Sequence, residues 1–114
     1  MKPSSCKQKG RLLQQYVRDK LLTAFPMLEP DDIKSVSMGN QGEDIQLSPA
    51  ARKLIPISIE CKSKAAIAVY KDYKQAVSNK GKCEPILVMK QNRDKPLVVM
   101  DLDYFITLLK DKNV

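Results

Sequence analysis

Helical and strand-like periods follow one another along this chain in the order αβββαββα. That order predicts an α/β fold, with a central mixed β-sheet of about five strands flanked by helices. Three observations carry the expectation. Apolar residues recur at helical spacing in three segments. Two other segments alternate polar and apolar residues. Two short runs, "PILVM" and "PLVVM", are apolar without alternation, as strands covered on both faces are.

The elements can be justified in order. Residues 1–10 are polar and read as a flexible basic arm ahead of a single domain over 11–114. From Arg11 to Phe25, Leu12, Leu13, Tyr16, Val17, Leu21 and Ala24 recur at helical spacing, and Pro26 stops the helix. "EPDD" (29–32) is a turn, "IKSVSM" (33–38) a modest strand, and "GNQG" (39–42) a connector. "DIQLS" (44–48) alternates, with Ile45 and Leu47 on one face and Asp44 and Gln46 on the other. "SPAARK" (48–53) is a turn or a single helical turn.

"LIPISIECK" (54–62) alternates again. Ile55, Ile57, Ile59 and Cys61 point one way; Ser58, Glu60 and Lys62 point the other. Ser63 is placed to cap a helix over residues 64–79 with the stripe Ala66, Val69, Tyr70, Tyr73 and Val77. The runs at 85–89 and 96–100 supply the last strands, joined by the turn "QNRDK". Asp101 caps a final helix carrying Leu102, Phe105, Ile106 and Leu109.

Composition narrows function. With 114 residues, 43% hydrophobic and 29% charged, the chain fits one soluble globular domain. No run approaches a membrane span and the N-terminus lacks an apolar signal core, so a cytoplasmic setting is expected. Cys6, Cys61 and Cys83 are odd in number and far apart, which predicts reduced thiols and no zinc site. Histidine is absent, removing Ser-His-Asp, Cys-His and HEXXH chemistry. Reactions are left to carboxylates, lysines, amides and a metal held by oxygen.

The net charge is +7, and Lys2, Lys7, Lys9 and Arg11 all precede the first acid, Asp19. Such an excess favours a polyanion through counterion release, although a merely lysine-rich surface carries it equally well.

The stretch "SIECKS" (58–63) concentrates the chemistry. Residues i and i+2 of a strand lie about 6.6 Å apart on one face. Glu60 and Lys62 alone read as an exposed ion pair worth little. Asp44, on the polar face of the preceding alternating strand, changes that. Two carboxylates and an ammonium then converge, and two carboxylates tolerate each other best with a cation between them. Magnesium-like ions take such oxygen ligands together with water and phosphate.

Asp44, then Glu60-Cys61-Lys62, after one helix and before another, resembles the PD-(D/E)xK nuclease superfamily, home of many restriction enzymes, archaeal Holliday junction resolvases and small phage and mobile-element nucleases. The resemblance implies a restriction-endonuclease-like core and a Mg²⁺- or Mn²⁺-dependent endodeoxyribonuclease. Asp44, Glu60 and the Cys61 backbone carbonyl would be metal ligands, and Lys62 the catalytic lysine. Resolvase-like members often carry a glutamate four residues after a glycine on the first helix; here Gly10 is followed at that spacing by Gln14. Some members place a glutamine on the helix after the lysine, where Gln75 fits on a stripe with Asp72 and Asn79. Proline often precedes the aspartate, whereas Glu43 stands here. Alternation selects Asp44 over Glu43, and a one-residue slip would reverse that choice.

Lys7, Lys9, Arg11, Arg52, Lys53 and Lys64 are the expected DNA contacts, gripping phosphate without reading sequence. The expected substrate is branched or nicked DNA in phage or mobile-element recombination and repair, with RNA left open and a homodimer suited to cutting two strands. Two other readings share these residues: a non-catalytic nucleic-acid-binding protein on the same scaffold, and a sequence-specific homing or restriction endonuclease. A cytosolic interaction domain with no nucleic-acid role would lack salt-dependent DNA affinity.

Overall fold

The computed structural model describes residues 3–36 and 42–112. Helix α1 runs from Pro3 to Ala24, followed by a 3-10 turn (Pro30–Asp32) and strands β1 (Ile33–Ser35) and β2 (Ile45–Leu47). Then come α2 (Pro49–Leu54), β3 (Ile57–Lys64), α3 (Val69–Ser78), β4 (Glu84–Gln91), β5 (Leu97–Val99) and α4 (Leu102–Lys112). The class is α/β, as the alternating periods predict. No described helix is long and apolar enough to cross a membrane.

The single five-stranded sheet is not what forms. β1 and β2 pair antiparallel as one small sheet, while β3, β4 and β5 make another in that order. β3 and β4 run parallel from Ile57 opposite Glu84 to Lys64 opposite Gln91, and β5 closes the edge antiparallel to β4. Between the sheets the ladder is replaced by one residue. The Asp44 amide donates to the Ile59 carbonyl (2.9 Å), its carbonyl accepts from Val36 (3.0 Å), and its carboxylate accepts from the Cys61 amide (2.7 Å). A side chain there occupies the place of a backbone acceptor and stops β2 from pairing further.

The main core lies between α1 and the sheets: Leu13, Ile33, Ile45, Leu47, Ile59, Cys61, Ile86 and Val88 are buried together. Ile45, Leu47 and Ile59 take the inward positions that alternation assigns. β4 is buried on both faces, with Leu87 fully enclosed on the side opposite Ile86 and Val88. Ser48 caps α2, accepting from the Ala51 amide at 3.1 Å and donating to Asp32 at 2.6 Å. Donation from the Ser48 hydroxyl and from the Glu29 amide (2.8 Å) holds the Asp32 carboxyl below its ordinary range.

Four local expectations are corrected. Residues 3–10 are not an arm but the first turns of α1, where Gly10 is buried and Lys9 donates to Asn92 at 2.8 Å. Ser63 does not cap a helix. The parallel ladder carries β3 through Lys64, and α3 starts at Val69 without a side-chain cap. The buried residues of α3 are Asp72 and Ala76, while Tyr70 and Val77 are exposed, because Lys64 of β3 draws Asp72 inward. Leu102, Phe105, Ile106 and Leu109 of α4 are all exposed; its Asp101 cap is real, donated to by Tyr104 at 3.1 Å, but only Tyr104 and the preceding Met100 reach the core. Periodicity identifies a helix; it does not supply a partner for its apolar face. Ser37, Met38 and most of the "GNQG" connector lie outside the described residues.

Candidate functional site

The site forms where the open edge of β3 meets Asp44. Alternation along β3 sends Glu60, Lys62 and Lys64 to the α3 side and Ile59 and Cys61 into the main core. Glu60 is 4% exposed, and its carboxylate accepts from the Asn79 amide at 3.1 Å and lies 3.7 Å from the Lys62 ammonium. Asp44 is half-buried, fixed at one carboxylate oxygen by the Cys61 amide.

The two carboxyls face each other. Burial raises the affinity of both for protons, above the ordinary carboxylate range. For Asp44 the Cys61 amide, Lys62 and a hydrogen bond to Glu60 oppose that rise. For Glu60 the Asn79 amide and Lys62 oppose it, while the charge on Asp44 reinforces it. This is the electrostatic state of two anions held together with too little positive charge between them.

Two carboxylates in that state fit a divalent cation better than they fit each other. Within a strand, a residue's amide and carbonyl point to the same edge. The Cys61 amide meets Asp44, so its carbonyl opens to that edge too. Among the described residues no group of three or more Asp, Glu, Cys or His side chains could hold a metal. A cation would therefore rest on two carboxylates and the Cys61 carbonyl, with the rest of its shell left to water and phosphate. The Cys61 thiol is not a ligand: burial, then Asp44 and Glu60, push it far above its ordinary value and keep it protonated.

The other predicted residues are distributed unevenly. Gln14 is buried, and its amide oxygen accepts from the Ser35 hydroxyl at 2.7 Å. Ser35 pairs with Ile45, the residue after Asp44, so Gln14 supports the strand end that carries the aspartate. Gln75 is exposed on α3; it is Asn79, one turn later, that reaches Glu60. Arg52 forms an ion pair with Glu43 and donates to the Ile57 carbonyl at 2.7 Å, and Lys64 pairs with Asp72 at 3.0 Å. Glu43 is thus committed to Arg52, leaving Asp44 as the carboxylate beside Glu60. Lys7, Arg11 and Lys53 are exposed.

A groove of about 620 Å³ adjoins the cluster, lined by Glu43, Arg52, Asn79, Lys80 and Lys82 among others. Gly81 holds a left-handed φ of 59° there, which turns the chain sharply between the two lysines. Asn79, Lys80 and Lys82 escape a motif-led reading. The signal that finds Asn79 is its place seven residues after Asp72, on the helix face that packs against β3. No family model, curated protein or solved structure matches this chain.

Proposed function

We propose that the protein is a metal-dependent endonuclease of the PD-(D/E)xK type that hydrolyses phosphodiester bonds in branched or nicked DNA during phage or mobile-element recombination and repair. The observation that carries the reading is the meeting of half-buried Asp44 and buried Glu60, two carboxyls whose ionisation is disfavoured, beside the Lys62 ammonium 3.7 Å from Glu60.

In this reading Asp44, Glu60 and the Cys61 carbonyl hold Mg²⁺ or Mn²⁺, which when bound supplies Lewis-acid polarisation of a phosphodiester. Asn79 fixes the Glu60 carboxylate so that its second oxygen faces the site. Lys62 is the catalytic lysine, placing a positive charge where charge builds on the phosphoryl oxygens. Arg52 acts through Glu43, holding the segment before Asp44 in place. Lys80 and Lys82 line the adjoining groove, where a phosphate backbone would run toward the cluster.

A second reading, a non-catalytic DNA-binding protein on this scaffold, is favoured by Gln14, a buried amide committed to Ser35 where resolvase-like relatives carry a carboxylate. Incubation with branched, nicked and linear DNA under Mg²⁺ or Mn²⁺ separates the two. The nuclease reading expects cation-dependent cleavage, strongest on branched or nicked DNA and lost in Lys62→Ala. Retarded but uncut DNA under every cation supports the binder, and equal cleavage by Lys62→Ala removes the lysine from the mechanism.

A further inference from the structure

A second concavity, of about 710 Å³, lies between α1 and the turn that joins β4 to β5. Neither Asp44 nor Glu60 lines it; it opens on the α1 side of β3, where Ser63 forms part of its wall. Its volume falls within the range of small-ligand pockets. We infer that this concavity is a binding site for an unpaired nucleic-acid strand, taking a base against Tyr16 and Leu12 and its flanking phosphates on Lys90, Arg93 and Lys95.

Three features support the assignment. The first is the apolar floor. Tyr16 is 48% exposed and Leu12 54% exposed, on adjacent turns of α1, although both belong to that helix's apolar stripe. A half-exposed ring beside an exposed leucine offers the flat apolar platform that bases stack on irrespective of sequence. The second is charge. Lys9, Lys90, Arg93 and Lys95 line the concavity against the one acid Asp94, which accepts from Gln91 at 3.3 Å, and Lys20 sits 5.4 Å from the centre of the Tyr16 ring. The third is the turn. Arg93 holds φ of 69°, a left-handed conformation unusual for a residue with a side chain, and it projects a guanidinium from the turn that forms the wall.

Aromatic surface interleaved with cations suits a single strand, whose bases are unstacked and whose phosphates track the rim. It suits duplex DNA less well, because paired bases present no free face. The inference rests on the proposed function for its substrate class, a branched DNA bearing an unpaired arm, and not on cleavage itself.

Fluorescence anisotropy with a short fluorescein-labelled oligothymidylate, in EDTA so that cleavage cannot contribute, tests it. The wild-type chain is expected to bind. Tyr16→Ala should weaken binding about tenfold, the loss of one stacked base, while Tyr16→Phe retains it. Arg93→Ala should weaken binding and reduce the slope of affinity against salt by about one. Thermal melts of each variant establish that it is folded. Absence of wild-type binding, equal affinity of folded Tyr16→Ala, equal affinity for an abasic oligomer of the same length, or tighter binding of an acidic phosphopeptide would each overturn the inference. Any of these leaves the cleavage reading standing, since that is measured separately with Mg²⁺ on branched DNA.

Discussion

Two lysines on one face of strand β3 each meet an acid, Lys64 the Asp72 of α3 and Lys62 the Glu60 of β3 itself, and the two contacts differ in what surrounds them. Toward the strand's end, Lys64 sits 3.0 Å from Asp72, a close pair in which the acid is buried and the lysine side chain is 42% exposed. One turn of pleat earlier, Lys62 is 3.7 Å from Glu60, its side chain only 23% exposed, and Glu60 is also confronted by Asp44. The first pair locks α3 onto the sheet. The second is a cluster with excess negative charge, which a cation would relieve. A lysine in tight contact with one acid is spent on that contact, whereas a lysine loosely shared by two acids can respond to what binds between them.

The largest expected effect breaks the pairs apart by function. In the proposed nuclease, Lys62→Ala should lower the cleavage rate by about a thousandfold, in line with loss of a group that stabilises transition-state charge. Lys64→Ala should cost less than about tenfold, and single-turnover assays on the same branched substrate compare them. Similar losses in both would mean that the two pairs are equivalent.

Next comes a third pair, Arg52 with Glu43. Arg52→Ala removes the ion pair and the donation to the Ile57 carbonyl, and should destabilise the fold by about 2 kcal/mol in urea denaturation. Lys53→Ala, one residue on and exposed, should leave stability unchanged. Equal stability of the two variants would show that the Arg52–Glu43 pair does not hold the fold.

Smaller effects sharpen the electrostatic contrast. The native Glu60 pKa is raised, so the folded state holds its proton more tightly than the unfolded chain does. Stability therefore falls as pH rises from the ordinary carboxylate range through the raised native value, and the cost is complete above it. Glu60→Gln should remove that cost, raising Tm by about 4 °C at neutral pH and having no effect at a pH below the ordinary carboxylate range. A lower Tm at neutral pH would show that Glu60 stabilises the fold as an anion. Asp72→Leu should destabilise by about 1 kcal/mol: it leaves the half-exposed Lys64 without its partner, and the loss is partly offset because one buried Asp72 oxygen has no hydrogen-bond partner to lose. Marked unfolding of Asp72→Leu would assign the Asp72–Lys64 contact a larger structural share.

Much of the fold was legible because its cause is local. Alternation at Ile45, Leu47 and Ile59 and the unbroken apolar run through Leu87 fix which faces are buried, and Asp101 caps the helix that follows it. The meeting of Asp44 and Glu60 was legible for the same reason, since polar faces were assigned by the apolar residues beside them. What was hidden depends on partners far along the chain. The sheet divides because the Asp44 carboxylate takes the Cys61 amide, a contact no period announces. Ser63 has the chemistry of a cap, yet the ladder to β4 continues past it to Lys64. Asn79 rather than Gln75 serves Glu60 because the face of α3 that packs on the sheet runs through Asp72 and Ala76 to Asn79 and leaves Gln75 exposed. Arg52 and Lys64 look like free cations in sequence and are paired in space.

Manganese titration calorimetry on the DNA-free protein addresses the central claim most directly. If Asp44 and Glu60 together hold a divalent ion, the wild-type chain binds one Mn²⁺, and Asp44→Asn and Glu60→Gln each weaken that binding by at least about a hundredfold while remaining folded. Mn²⁺ binding of equal strength in both variants, or none in the wild-type chain, would contradict it.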